Sequence, residues 1–512
     1  MPLLRNLAAG FALTLCVSVH GCSLGNVSQD DCESDAECTA LFGLGSTCAD
    51  GYCGATASCT TGHDCRAMFG GGACVDGSCS TKLPADPACP IVEPPDLFTT
   101  SLVGSDGPIL VVGGIFSLDE SADAALSSAA LLAIREINRS GGGSGGQRMG
   151  IVICDNGGPG NTLEGDARQP LNDHAVDYLA GTLGVPYAVG PVSSVDAIFL
   201  INRIVQQRYP TVIISPASTS PQLGGSTDKL DQADPHGLFW RTCPSDELQG
   251  RVLIEQVIEL DPAIQRIAVI YSQDAYGEGL AKVLGDVFGS TKTALFPFKT
   301  EADIPAVTAQ VVTSDPDAMV MISGKGADNV AFVSGLPGTP LATKRLFFTD
   351  GAKDASKLLD PALPIEVQDI LKAARGTAPA SPSGTIYELF RTNLLADFQV
   401  DAGSYGFVAQ TYDAAYVGAY GVISAAAAGP GYDGRGVAAG LAMLVGGTAV
   451  NLLPTEWATG KGKLSAGEPI NVVGTSGPLD FDPAVGDAPA PIEIWRVAAD
   501  FSGFETEQLV NP

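Results

Sequence analysis

The 512-residue sequence predicts an α/β fold in which two similar lobes follow a small disulfide-rich region. Three observations carry that expectation. Short apolar strands alternate with helical stretches across residues 109–322, the pattern of a parallel sheet. These units are too many for one ordinary sheet, so two lobes are expected. Eight cysteines before Pro95 fall into two sets of four with nearly the same spacing. At 45% hydrophobic residues, the chain has the material for large cores, which argues against disorder.

From the N-terminus, Met1 to Arg5 is a short basic stretch, and residues 6–19 are mostly apolar but too short to span a bilayer as a mature helix. Residues 1–21 therefore read as a secretion signal. Val19-His20-Gly21-Cys22 resembles a lipoprotein box, in which Cys22 becomes the acylated first residue; an ordinary signal peptide beside an unrelated cysteine is the competing reading. Later segments lack the ~20 uninterrupted apolar residues of a transmembrane helix, so membrane contact is expected through a lipid on Cys22 only. Lys and Arg number 28 against 57 Asp and Glu, a formal charge of -29 that repels phosphate backbones and argues against a nucleic-acid partner.

Residues 22–95 form the Cys-rich region. Cys32, Cys38, Cys48 and Cys53 are echoed by Cys59, Cys65, Cys74 and Cys79, and each set ends in an Asp-Gly turn between two cysteines. A unit of about 25 residues cannot bury a self-sufficient core, so two disulfides per unit are expected, with their connectivity open. Zinc is the rival account, but the spacing of zinc ligands is absent and an exported chain meets an oxidising compartment. Residues 82–95, rich in Pro and Asp, read as a stiff, solvated spacer.

The body, residues 105–512, places strands at 109–112, 150–154, 187–189, 211–214, 266–271 and 318–322. Helical stretches fall at 122–138, 166–179, 197–208, 248–259, 276–288 and 304–313. Five stretches give the body a family resemblance. They are Ala133-Ile134-Arg135-Glu136-Ile137-Asn138 with Gly141-Gly142, Ile214-Ser215-Pro216-Ala217-Ser218-Thr219, and Phe239-Trp240-Arg241 through Asp246. Arg266 to Gly279 follows with its Tyr-Gly-Glu-Gly, then Gly474 and Gly477-Pro478-Leu479 with Phe481-Asp482 and Gly486. The chain over residues 108–497 resembles the type I periplasmic solute-binding proteins, in particular the branched-chain amino acid (Leu/Ile/Val) binding proteins of ABC transporters. The resemblance implies two doubly wound, Rossmann-like lobes joined by three hinge crossovers, with a ligand in the cleft at the carboxyl ends of the strands. The crossovers are expected near residues 241–246, 375–379 and 474–482. Lobe 1 would then comprise about 105–245 and 377–473, and lobe 2 about 246–376 and 474–512.

A free amino acid needs N–H and hydroxyl donors for its carboxylate and a carboxylate for its ammonium. Ser193 and Ser194 follow one strand, and Ala217, Ser218 and Thr219 another; the resemblance implies that these loops hold the ligand's carboxylate, whereas helix capping is the bland alternative. Asp350, in Phe347-Phe348-Thr349-Asp350-Gly351, falls where the family places the acid that meets the ammonium, or it forms a simple Asp-Gly turn. Tyr276 and Tyr412 match aromatic positions lining the pocket, and either is equally at home in a core. Lys325 stands where a tyrosine is expected and Ala122 where branched-chain binders carry an aromatic, which puts leucine-type specificity in doubt. Lys325 either pairs with an extra acidic group on a ligand or faces water.

Cys89, Cys154 and Cys243 remain after the repeats, an odd number that leaves at least one unpaired among them. Enzyme motifs are wanting. The glycine-rich run at 141–146 follows a helix and precedes a strand, the reverse of a phosphate loop or nucleophile elbow, and His174 and His236 sit in no motif. The expected function is that of an exported, lipid-anchored receptor delivering a small polar, amino-acid-like solute to an ABC permease, with neither catalysis nor cofactor. An envelope sensor or scaffold with a regulatory or vestigial cleft is the alternative.

Overall fold

The computed structural model describes residues 32–104, 107–158, 160, 163, 165–224, 228–429 and 431–512. The secretion signal and Cys22 lie outside the described residues.

Lobe 1 is built on the sheet Phe239–Arg241, Val212–Ser215, Tyr187–Val189, Gly107–Phe116, Arg148–Asp155, Ile91–Glu93, in that spatial order. Its strands are parallel except the last, which pairs antiparallel with Arg148–Asp155. Gly107–Phe116 is buried from Ile109 onward, the unbroken apolar run expected of a strand covered on both faces. Helices Ser121–Arg139, Gln169–Val176 and Ser194–Gln207 cover it, together with the 21-residue helix Val408–Ala428, which returns from late in the chain. That helix is buried on nearly every side, so it has no polar face to give it a periodic pattern. Gly418 sits where a Cβ would overlap the Tyr187 ring, and the Tyr187 hydroxyl donates to the Ala415 carbonyl at 3.0 Å. A mid-helix glycine costs about 0.5–1 kcal/mol relative to Ala, and here it lets helix and strand touch.

Lobe 2 orders its strands Thr293–Phe298, Ile267–Ser272, Ala318–Ile322, Arg345–Phe348, Arg375–Pro379, Ile492–Val497, Phe504–Val510. The first five run parallel and the last two are antiparallel additions. The chain passes between the lobes three times, at residues 241–246, 379–385 and 482–492. The second and third passages fall later than the sequence places them. Arg375–Pro379 is itself a lobe 2 strand, and Ile470–Gly474 with Gly477–Pro478 joins Thr448–Asn451 in a small sheet; its Val472, and Leu479 and Phe481 just beyond it, pack into the lobe 1 core.

The Cys-rich units are disulfide-linked as Cys32–Cys48 and Cys38–Cys53, then Cys59–Cys74 and Cys65–Cys79, the same first-to-third, second-to-fourth order in each. Residues 82–95 are not a solvated spacer. Leu83 is buried, Ile91–Glu93 is the edge strand of lobe 1, Cys89 is bonded to Cys154, and the Tyr178 hydroxyl donates to the Pro84 carbonyl. The apolar residues scattered among the prolines dock the segment. The second unit is seated on lobe 1 as well: the buried Arg66 donates to the carbonyls of Gly184 (3.2 Å) and Tyr432 (3.0 Å). Among the described residues, no helix is long and apolar enough to cross a membrane.

Candidate functional site

The carboxyl ends of the two parallel sheets face each other across the first crossover, and most of the expected site residues meet there. Ser193 is the exposed N-cap of Ser194–Gln207 and makes no side-chain cap bond. Ser194 is buried, its Oγ accepting the Ser220 N–H at 3.3 Å. Ala217 and Ser218 wrap the Ser215 hydroxyl, which takes both of their N–H groups at 3.3 and 2.9 Å. The Ser218 hydroxyl points back into lobe 1, donating to the Val192 carbonyl at 3.2 Å. The Thr219 hydroxyl reaches the other way, to Asp246 Oδ2 on the first helix of lobe 2 (2.9 Å), and the Ser220 hydroxyl donates to the lobe 2 carbonyl of Ala275 (2.7 Å). Two of the three loop hydroxyls therefore tie the lobes together.

In lobe 2, Asp350 begins a short turn after Arg345–Phe348. Its Oδ1 accepts the Tyr276 hydroxyl at 2.7 Å and Gln249 Nε2 at 2.8 Å, and Tyr276 also shares a hydrogen bond of 2.8 Å with Thr349. Burial, and then the facing Asp350, push the Asp246 carboxyl well above its usual range; Asp350 is raised too, again by burial. Asp246 is fully buried and its Oδ1 has no hydrogen-bond partner. Arg241 anchors the hinge side: its guanidinium is bidentate to Asp487 on the third passage (2.6 and 2.7 Å) and donates to the carbonyls of Ser218 and Ser220.

Two expected residues stand apart. Tyr412 belongs to the lobe 1 interior and not to the cleft wall: it is fully buried, its ring lies 4.7 Å from Phe390 and 4.8 Å from Tyr416, and its hydroxyl donates to Glu136. One helical turn past the cleft end of Val408–Ala428, the side chain faces the neighbouring helix Ser121–Arg139. Lys325 is exposed as the N-cap of Gly326–Ser334, at the carboxyl edge of lobe 2, its N–H donating to Ser323 Oγ at 3.1 Å.

Sequence reasoning passed over Asp246, Gln249 and Phe407. Asp246 had a signal: Ser245 beside it supplies the helix cap through the Glu247 N–H, leaving Asp246 without that job. Phe407 is half-buried at the N-cap of Val408–Ala428 with φ 64°, a strained setting for an aromatic, and the helix's first turn meets the first crossover where Thr242 donates to the Gln410 carbonyl at 2.8 Å.

Two doubly wound lobes, three connecting passages and polar loops converging from both sides define the class of hinged, two-lobed binding proteins. A family model described as "Periplasmic binding protein" matches residues 111–454, and the chain belongs to that family. Among solved structures, a leucine-binding protein from Thermotoga maritima aligns with TM-score 0.55 and 16% identity over 79% of this chain and 99% of its own. A branched-chain amino acid transporter substrate-binding protein from Streptococcus pneumoniae, in complex with isoleucine, gives TM-score 0.56 and 17% identity over 79% of this chain and 100% of its own. An R. palustris solute-binding protein in complex with benzoate gives 0.53 and 14%, over 79% and 97%. By sequence, a chemotactic signal transduction system substrate-binding protein of Halobacterium salinarum is 27% identical over 143 residues, 28% of this chain and 33% of its own. A leucine-, isoleucine-, valine-, threonine- and alanine-binding protein of Pseudomonas aeruginosa is 28% identical over 152 residues, 30% of this chain and 35% of its own. The chain thus spans about a third of the length of the curated relatives it matches.

Proposed function

We propose that the chain is an extracytoplasmic solute-binding protein that captures a small polar, amino-acid-like ligand between its lobes and hands it, chemically unchanged, to an ABC-type permease. The observation that carries this reading is the Asp350 carboxylate, oriented at the carboxyl edge of lobe 2 by Tyr276 and by Gln249, which lies on the helix whose Asp246 is bonded to the Thr219 loop of lobe 1. In this reading Asp350 takes the ligand's ammonium. The ligand's carboxylate rests on the first-turn N–H groups of the helix at Ser194, beside the Ser193 hydroxyl and the backbone at 217–219, since helix N-termini favour anions. Tyr276 and Phe407 flank the remainder, and Lys325 meets an acidic side group. The Thr219–Asp246 and Ser220–Ala275 bonds open to admit the solute and re-form around it, a hinge closure. Cys22 carries the lipid that holds residues 22–95 and the body at a membrane in the cell envelope. Of the described body histidines, His174 pairs with Asp86 at 2.9 Å and His236 with the Pro483 carbonyl at 2.9 Å.

A thermal-shift screen of amino acids and small organic acids on the whole mature chain tests the reading. A true ligand at 100 times its Kd stabilises by about 2.7 kcal/mol, and the Asp350→Ala variant should lose that gain. A panel that leaves the melting temperature unmoved counts against capture. It would favour a second reading, that of an envelope sensor, which the seating of the second Cys-rich unit on lobe 1 and the name of the Halobacterium relative both support.

A further inference from the structure

The interlobe cluster accepts more than it donates. Gln249 is one turn beyond Asp246 on the same helix and binds Asp350 at 2.8 Å, which brings the two acids to one part of the interlobe face. Asp246 Oδ1 is buried there without a donor. The nearby cation, Arg241, has its guanidinium committed to Asp487 and to two backbone carbonyls. The Ser218, Thr219 and Ser220 hydroxyls donate to groups of the protein itself. What the cluster lacks is a cationic hydrogen-bond donor.

We infer that the interlobe site is an amine site: a primary ammonium bridges Asp246 and Asp350, and a carboxylate on the ligand is dispensable. The inference rests on the reading of the cleft as the ligand site and narrows its substrate class. Simple carboxylic acids are excluded, because they would add a further negative charge beside a pair of acids that already repel each other. Tyr276, Cys243, Arg241 and Asp487 are the other titratable or charged groups packed around the pair. With no cation between them, two facing buried carboxylates retain one proton, and an entering R–NH3+ displaces it to solvent: one proton leaves for each ammonium bound.

The test uses the full mature chain with putrescine, leucine, arginine and benzoate as probes. At pH 7.5 at least one amine-bearing probe should raise the melting temperature, and benzoate should not. Calorimetry of that probe at pH 6 in two buffers of different ionisation enthalpy should show net proton release. Asp246→Asn should weaken the probe at least tenfold, while raising the melting temperature of the unliganded protein at pH 8, a gain that should vanish as pH falls below about 4. Stabilisation by benzoate alone overturns the inference while leaving the cleft as the ligand site, and so does binding without proton release. Amine binding indifferent to both Asp246→Asn and Asp350→Asn places the ligand elsewhere and fails the cleft reading itself. Silence from all four probes overturns the amine assignment whatever the variants do.

Discussion

At the scale of single residues, this fold stores several carboxylates where burial opposes their charge. Asp123, at the first turn of Ser121–Arg139, is buried with its Oδ2 accepting the Ser117 N–H at 2.9 Å, and burial raises its pKa to about 7. A folded pKa above the unfolded one means the native state holds the proton more tightly. Its favourable contribution is complete below about pH 4 and is lost as pH rises through about 7. Asp123→Asn should therefore flatten the pH dependence of stability between 4 and 7. At pH 8 it should stabilise by about 2 kcal/mol, roughly half of what the full shift allows at 1.36 kcal/mol per unit, read from denaturant midpoints. Asp413 is the counter-case. Also buried, and raised to about 6 by that burial, it is held by the N–H and hydroxyl groups of both Thr475 and Ser476 at 2.6–2.9 Å. Asp413→Ala should cost about 3 kcal/mol in chemical denaturation, because four donors lose their acceptor. The sequence put the polar loops at 193–194 and 217–219 and the acid at 350 just past apolar strands, and the structure sets them at the carboxyl ends of the two sheets. The sequence did not reveal that Ser218 bonds inward while Thr219 reaches across to Asp246, because partner choice depends on which loop stands opposite.

At the scale of elements, strands and amphipathic helices were legible wherever two buried faces or a period marked them; Tyr187–Val189 and Ala318–Ile322 stand where the apolar runs put them. Val408–Ala428 left no such mark, since burial all round erases the period, and of the two places open to Tyr412, the pocket by family resemblance or the core, the structure gives the core. The segment at 82–95 misled in the opposite sense. Its Pro and Asp content outweighed Leu83, Ile91 and Val92, which seat it in lobe 1 with help from Cys89–Cys154. That bond closes 65 residues and ties the edge strand to the sheet; replacing both cysteines with serine should cost about 2–4 kcal/mol, measured by urea unfolding. The second Cys-rich unit depends on close backbone approach, for a Cβ at Gly62 would overlap the Thr182 and Leu183 backbone. Gly62→Val should release that unit, seen as faster proteolysis between residues 54 and 95, with the four disulfides of the two units intact by mass. Unchanged proteolysis would show that Arg66 and the edge strand hold the unit without this contact.

For the whole molecule the decisive question is what sets the relation between the lobes, and Arg241 is the residue through which it can be asked. It ends the last strand of lobe 1 and is almost completely buried. It binds the third interlobe passage through Asp487, and it fixes the Ser218 and Ser220 carbonyls of the loop that bonds to lobe 2. One guanidinium thus couples two of the three hinges to the loop at 217–220. Its planar fork is what makes this possible: a lysine keeps the charge but has a single centre and cannot span the carboxylate and both carbonyls. Arg241→Lys should therefore destabilise by about 2–4 kcal/mol, because Asp487 keeps only part of its pairing and the two carbonyls lose their donor. The larger consequence is geometric. With the loop at 217–220 freed, the Thr219–Asp246 and Ser220–Ala275 bonds lose their support, and the unliganded variant should show a larger radius of gyration by small-angle X-ray scattering than the parent chain at the same pH. If the variant melts early but scatters like the parent, Arg241 stabilises lobe 1 alone, and closure is governed by the carboxylate cluster on the other side of the cleft.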